Sequence, residues 1–136
     1  MNTQDPLSKI MSTKLVTVNA SDKLTRVHDI FKTHKIHHIP VVDFKSIVGI
    51  LSKSDFQFFQ RGYLLSENDN EKFEDMRNKS YEVKELMTTG IAKLSSTDKI
   101  ATAIEVFKEN LFHCIPIVDD DELVGIVTPL DIIKNV

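Results

Sequence analysis

Two short segments of the chain combine residue types that can bind a ligand. Residues 49–56 read GILSKSDF and residues 125–132 read GIVTPLDI, so a hydroxyl stands three positions before a carboxylate in each. At a helix start, the hydroxyl and the free backbone N–H groups can hydrogen-bond a phosphate, whereas a carboxylate accepts from neutral hydroxyl donors. The same spacing is typical of a capping box, in which both side chains bond to their own main chain. The spacing alone is compatible with both interpretations.

The two segments belong to an internal duplication. Residues 11–55 align with residues 87–131 without a gap, and the identical pairs include His37 with His113 and Pro40 with Pro116. Two copies favour a pair related by a pseudo-two-fold axis rather than a longer repeat array. Because one copy of about 50 residues would bury too little surface to be stable alone, we expect the copies to share one core.

The first half of each copy is predicted to be a short leading helix, a strand and a longer helix. The leading helix falls at residues 7–11 and 83–87, and the strand at residues 15–18 and 91–94. Ser21 and Thr97 are the predicted N-caps of the longer helices, since each is followed by an Asp that the helix dipole favours. The longer helix of the first copy carries one apolar face, formed by Leu24, Val27, Ile30 and Phe31.

The second half of each copy is predicted to be a β-hairpin and a final helix. IPVVD and IPIVD read as buried strands, and IVGIL and LVGIV follow them after a polar turn. The final helix opens at Ser52 or Thr128, and Gly62 is expected to end the first of the two. The predicted fold class is α/β, of the α+β type, with two pseudo-symmetric β-α-β-β-α repeats. They occupy residues 1–62 and 81–136, joined by a polar linker insertion at 63–80.

This order of elements, with HIPVVD-like and GI-x-S/T-x-x-D segments occurring twice, resembles a tandem CBS-domain pair, also called a Bateman module. The resemblance covers residues 7–56 and 83–134. It implies a regulatory sensor, for example of energy state, that binds an adenosine-containing nucleotide (AMP, ADP or ATP) in the cleft between the repeats and forms a homodimer. In this family the hydroxyl binds phosphate and the acid binds the ribose hydroxyls. Those roles would fall here to Ser52, Asp55, Thr128 and Asp131.

Further residues are predicted to line the nucleotide site. Lys53 and Ser54 add a cation and a hydroxyl in the first copy, where the second has Pro129 and Leu130. The first site should therefore suit a phosphorylated ligand better. The base needs an apolar slot at the starts of the buried strands and backbone groups from the early strand, although plain core packing is the alternative. The residues assigned to this part of the site are Ile39, Pro40, Ile115, Pro116 and Thr17.

Three histidines, His37, His38 and His113, are also assigned to the site. In related nucleotide sensors the position of His38 and Cys114 is often an Arg that pairs with phosphate. Here only His38 can supply a charge, when protonated, which weakens the expected binding of polyphosphates, most of all in the second copy. The spacing His34-x-x-His37-His38 also suggests a metal, but the two copies do not share this set. No metal site is therefore predicted.

Composition and motifs argue against several other classes. A net charge of −3 gives no broad attraction to nucleic acid, and no apolar run is long enough to span a membrane. The absence of a secretory signal and the single cysteine predict a cytoplasmic location. Without a Gly-rich phosphate loop or a nucleophile motif, no enzyme activity and no cofactor are predicted. No effector domain accompanies the repeats, so a sensor would act on an unknown effector protein. The alternative function is a ligand-free dimerisation or interaction module.

Overall fold

The computed structural model describes residues 1–61 and 78–136, so Gly62 and most of the predicted linker lie outside the described residues. The chain forms two compact units. The first-repeat unit consists of Val16–Phe44 and Val48–Thr89, and the second-repeat unit of Met1–Leu15, Lys45–Ile47 and Gly90–Val136. Each unit therefore contains the leading segment of the other sequence repeat.

The first-repeat unit follows the predicted order of elements. In chain order these are β1 (Val18–Asn19), α1 (Leu24–Thr33), β2 (His38–Asp43), β3 (Ser46–Ser52), α2 (Lys53–Arg61) and a 3₁₀ turn at Val83–Glu85. The first two residues of β3 are assigned to the other unit. The strands form a sheet in the order β1-β2-β3, and β1 runs parallel to β2 with Val18 opposite Val41.

The second-repeat unit repeats this plan with a shorter first strand. It contains a 3₁₀ turn at Leu7–Lys9, α3 (Ile100–Lys108), β4 (Ile115–Asp119), β5 (Glu122–Val127) and α4 (Pro129–Lys134). The predicted hairpin is confirmed, because β4 and β5 pair antiparallel with Ile115 opposite Val127. The strand predicted at residues 91–94 is reduced to a single bridge between Leu94 and Ile117. In the first repeat the strand predicted at residues 15–18 is present as β1, but it spans Val18–Asn19, so its predicted bounds were wrong.

The two longer helices begin later than predicted. Helix α1 begins at Leu24 and α3 at Ile100, so the N-cap assignments of Ser21 and Thr97 were wrong. The Asp after each of these residues closes a turn instead, because it accepts the backbone N–H three positions upstream, at 2.9 Å in the first copy and 2.7 Å in the second. The predicted apolar face of α1 is confirmed. Its buried residues are Leu24, Val27, Ile30 and Phe31.

Buried apolar side chains form two clusters, one in each unit, rather than the single shared core that was predicted. Leu7 and Val83, from the leading segments, are fully buried in these clusters. Their backbone N–H groups donate to Asp98 and Asp22 respectively, each at 2.8 Å. The exchanged leading segments thus add buried apolar side chains to both clusters.

Candidate functional site

In the first repeat, the hydroxyl and the carboxylate stand where β3 passes into α2. Ser52 Oγ accepts the backbone N–H of Asp55 at 3.1 Å and lies 3.4 Å from Ser54 Oγ. The backbone N–H of Lys53 donates to the carbonyl of His37 at 2.8 Å, which fixes the helix start against the strand. The Asp55 side chain is exposed, and among residues 1–61 and 78–136 its carboxylate accepts no hydrogen bond and forms no ion pair. Both of its oxygens can therefore accept from hydroxyl groups of a ligand.

In the second repeat, the same two residue types form a capping box. Asp131 Oδ2 accepts the backbone N–H of Thr128 at 2.9 Å and its hydroxyl at 3.3 Å. Asp131 Oδ1 accepts the hydroxyl of Ser12 at 3.4 Å. Pro129 follows the cap and has no N–H to offer a ligand. The capping interpretation of the motif therefore describes the second repeat, where the carboxylate is turned back onto its own main chain.

The glycine at the start of each segment permits a close approach of another backbone. A Cβ on Gly49 would lie 2.8 Å from Met87 Sδ and 2.9 Å from the carbonyl oxygen of Thr88. A Cβ on Gly125 would lie 2.7 Å from Met11 Sδ. The neighbouring Ile50 exchanges two backbone hydrogen bonds with Thr88, at 2.9 and 2.8 Å. Because these glycines have no Cβ, the leading segments can pack directly against the strands at Gly49 and Gly125.

The apolar residues assigned to the base-binding slot are buried in both repeats. These are Ile39, Pro40, Ile115 and Pro116. Ile39 and Ile115 have no exposed surface and belong to the two hydrophobic clusters. In the described structure these two residues pack the cores, and their contact with a base stays a prediction.

The remaining assigned residues lie nearer the surface. His37 and His113 are exposed, whereas His38 and Thr17 are half-buried. His38 begins β2, and His37 joins the site through its carbonyl contact with Lys53. Over the described part of the chain, no group of three or more His, Cys, Asp or Glu side chains is placed to hold a metal ion.

Cys114 stands beside Asp131 in the second repeat. Burial raises the pKa of its thiol from 9.0 to about 12, and the negative charge of Asp131 adds to this effect. The thiol therefore remains protonated near neutral pH and is a poor nucleophile. Cys114 also provides no positive charge at the position equivalent to His38.

Asp119, at the end of β4, has a hydrogen-bonding role that the sequence analysis did not identify. Its carboxylate accepts the hydroxyl of Ser96, the backbone N–H of Ser96 at 3.1 Å and the hydroxyl of Ser95 at 2.9 Å. These hydrogen bonds, that from the Ser96 hydroxyl first, lower the pKa of Asp119 below its ordinary value. The equivalent positions of the first repeat, Asn19 and Ala20, have no hydroxyl, so comparing the copies could have identified the cluster.

The fold and the site define a duplicated α+β module, and comparison with known proteins identifies its family. The CBS domain profile matches residues 7–60 and 83–136, so the chain belongs to the CBS domain family and carries two copies of the domain. None of the helices described here is long and apolar enough to cross a membrane.

Similar proteins include both curated relatives and solved structures. The uncharacterized protein MJ0188 of Methanocaldococcus jannaschii is 28% identical over 130 residues, which are 95% of this chain and 43% of that protein. The chain spans less than half the length of the curated relatives it matches. The CBS domain of a membrane protein from Sphaerobacter thermophilus is 25% identical, with a TM-score of 0.81 over 98% of this chain and 89% of that one. CBSX2 in complex with AMP is 20% identical, with a TM-score of 0.79 over 96% and 95% of the two chains.

Proposed function

We propose that this CBS pair is a regulatory module that binds an adenosine-containing nucleotide, AMP, ADP or ATP, through residues 52–55 of the first repeat. The observation that carries the proposal is the Asp55 carboxylate, which is exposed and without a hydrogen bond in the described structure, next to a helix start with two hydroxyls. The AMP complex of the structurally similar CBSX2 supports the choice of ligand class.

The charges at this helix start assign the parts of the nucleotide. A carboxylate repels phosphate but accepts hydrogen bonds from the two ribose hydroxyls, so Asp55 would bind the sugar. The hydroxyls of Ser54, exposed in the first turn of α2, and of Ser52 would bind the phosphate. The backbone N–H groups of Lys53 and Asp55 are already engaged by the His37 carbonyl and the Ser52 hydroxyl. The contacts of His37 and His38 with the nucleotide stay predictions.

Regulation would follow from a population shift. A nucleotide that binds one conformation of the protein more tightly than another shifts the equilibrium by that difference in affinity, and an effector protein then recognises the favoured conformation. The homodimer, the effector and the cytoplasmic location remain parts of this proposal.

A second candidate function is a ligand-free interaction module. It is favoured by two large apolar side chains that α4 exposes, Leu130 at 51% and Ile133 at 67%. It is also favoured by the closed capping box at Thr128 and Asp131, which leaves the second repeat's motif engaged in its own helix.

A thermal shift measurement distinguishes the two functions. AMP, ADP, ATP and S-adenosylmethionine are added separately to the protein, and a ligand at 100 times its Kd should add about 2.7 kcal/mol to the free energy of unfolding. Asp55→Ala should abolish the shift while the protein stays folded, and the matched Asp131→Ala variant should keep it. If none of the four compounds shifts the transition, the interaction module is favoured. If Asp55→Ala still binds, the ribose assignment is wrong.

A further inference from the structure

The first repeat has a second feature that could bind a ligand, a cavity of about 210 Å³ between α1 and α2. Three aromatic rings, those of His28, Phe31 and Phe56, form its floor. The ring centroids of Phe31 and Phe56 lie 5.7 Å apart, and those of His28 and Phe56 lie 6.3 Å apart. Its remaining lining includes polar and cationic side chains, among them Lys32, Lys53 and Gln57. The cavity lining therefore combines aromatic rings, tilted by 37° and 53° to one another, with several hydrogen-bond donors.

The duplication provides an internal comparison for this cavity. The second repeat has a cavity of about 260 Å³ between α3 and α4, lined at the equivalent positions. Ile104 replaces His28 in the second cavity, Pro129 replaces Lys53, and Ile133 replaces Gln57. Because an equivalent helix pair packs with apolar residues there, helix packing does not require the polar groups of the first cavity.

The lysines of the two cavities differ in their partners as well. Lys108, in the second cavity, lies 3.0 Å from Glu105 and forms an ion pair with it. The equivalent Lys32 has the shorter Asp29 at that spacing. In the part of the chain that the structure describes, neither Lys32 nor Lys53 has a carboxylate within ion-pair distance. The cavity lining thus includes two lysines that form no ion pair within residues 1–61 and 78–136.

We propose that the cavity between α1 and α2 binds a small anion with a flat aromatic body, such as an aromatic phosphate or carboxylate. The ring would lie against Phe31 and Phe56, and the anionic group would meet Lys32 and Lys53. A cavity of about 150 Å³ is known to hold benzene, so 210 Å³ accommodates a six-membered ring with one charged substituent. It is smaller than the roughly 300 Å³ at which pockets for drug-sized ligands begin. The cavity shares Lys53 with the proposed nucleotide site at residues 52–55, but its other lining residues lie outside that site.

The test is an NMR titration of the ¹⁵N-labelled full chain with phenyl phosphate, with phenol and inorganic phosphate as partial probes. The chemical shift changes should centre on residues 28–32 and 53–57, and each partial probe should bind at least about tenfold more weakly, because it makes only one of the two kinds of contact. Lys32→Ala should weaken the binding of phenyl phosphate about fivefold or more. His28→Ile, which introduces the residue of the second repeat, should also weaken it, whereas Lys108→Ala should not.

Two results would overturn the site. One is equal binding of inorganic phosphate and phenyl phosphate, which would mean that exposed lysines attract any anion. The other is an unchanged affinity in Lys32→Ala. The variant Asp55→Ala separates this site from the nucleotide site, because it should lose AMP but retain phenyl phosphate. If Asp55→Ala loses both, the probe occupies the nucleotide site and the cavity proposal fails, while the proposed function survives.

Discussion

Replacing the two motif carboxylates with alanine should destabilise the protein to different extents. Asp131 accepts three hydrogen bonds, two from Thr128 and one from Ser12, and closes the capping box of α4. Loss of such a cap typically costs about 1–2 kcal/mol. Asp55 has no hydrogen-bond acceptor role in the described structure, so its loss should cost less than about 0.5 kcal/mol. Both residues stand in the first turn of a helix, so the dipole contribution is common to the two variants.

The assay is thermal unfolding of Asp55→Ala, Asp131→Ala and the unchanged protein, without ligand and followed by circular dichroism. For a chain of this size, 1 kcal/mol corresponds to roughly 3–5 °C in Tm, so Asp131→Ala should melt at least about 3 °C lower and Asp55→Ala within about 2 °C of the unchanged protein. Ser12→Ala is the control for the long 3.4 Å hydrogen bond and should have little effect. Equal losses from the two Asp variants, or a larger loss from Asp55→Ala, would refute the structural distinction between the repeats.

Two further predictions concern packing and pH. Gly49→Ala should destabilise the protein by about 1–3 kcal/mol in urea denaturation, and by more than Gly125→Ala. At both positions the closest contact of the new methyl is a flexible Met side chain, but the nearest backbone oxygen is at 2.9 Å for Gly49 and at 3.1 Å for Gly125; equal losses would contradict this. Asp119→Asn should destabilise the protein at pH 7, because the lowered pKa of Asp119 adds stability above the ordinary Asp value of about 3.9. This stability disappears as the pH falls through the lowered pKa, so the difference from the unchanged protein should shrink at low pH; a constant difference would argue against it.

The elements that the sequence predicted correctly depend on local patterns. The buried face of α1 and the hairpin of β4 and β5 follow from the spacing of apolar residues, which the duplication makes visible twice. The helix starts were missed because a Ser or Thr followed by Asp favours a helix cap as well as a turn, and here the Asp closes the turn that precedes the helix. The exchange of the leading segments could not be predicted, since Leu7 and Val83 fit an apolar core equally well in either unit.

The position of the hydroxyl–carboxylate motif at the two helix starts was predictable from the sequence, but the hydrogen bonding of its carboxylates was not. The order of strand, hydroxyl and helix placed Ser52 and Thr128 correctly at the helix starts. The same S/T-x-x-D spacing fits a carboxylate that is available to a ligand and one that caps its own helix. The sequence therefore could not show that Asp131 caps its helix and Asp55 does not. Ser12, whose hydroxyl donates a hydrogen bond to Asp131, is 119 positions away in sequence and belongs to a leading segment. Long-range contacts of this kind leave no periodic signal.

The hydrogen bonds of Asp131 have a consequence for how nucleotide would fill the two repeats. A ribose that binds Asp131 must displace the hydrogen bonds of Thr128, and the helix start then loses its cap. If this costs the about 1–2 kcal/mol expected for the cap, the affinity of the second repeat falls about 5- to 30-fold relative to a repeat with an available carboxylate. Asp55 requires no such displacement, because the Ser52 hydroxyl alone caps the Asp55 N–H. The second repeat also has Pro129 and Leu130 where the first has Lys53 and Ser54. A nucleotide titration should therefore fill the first repeat alone, and the variant Asp55→Ala should bind no nucleotide at the concentrations that saturate the unchanged protein.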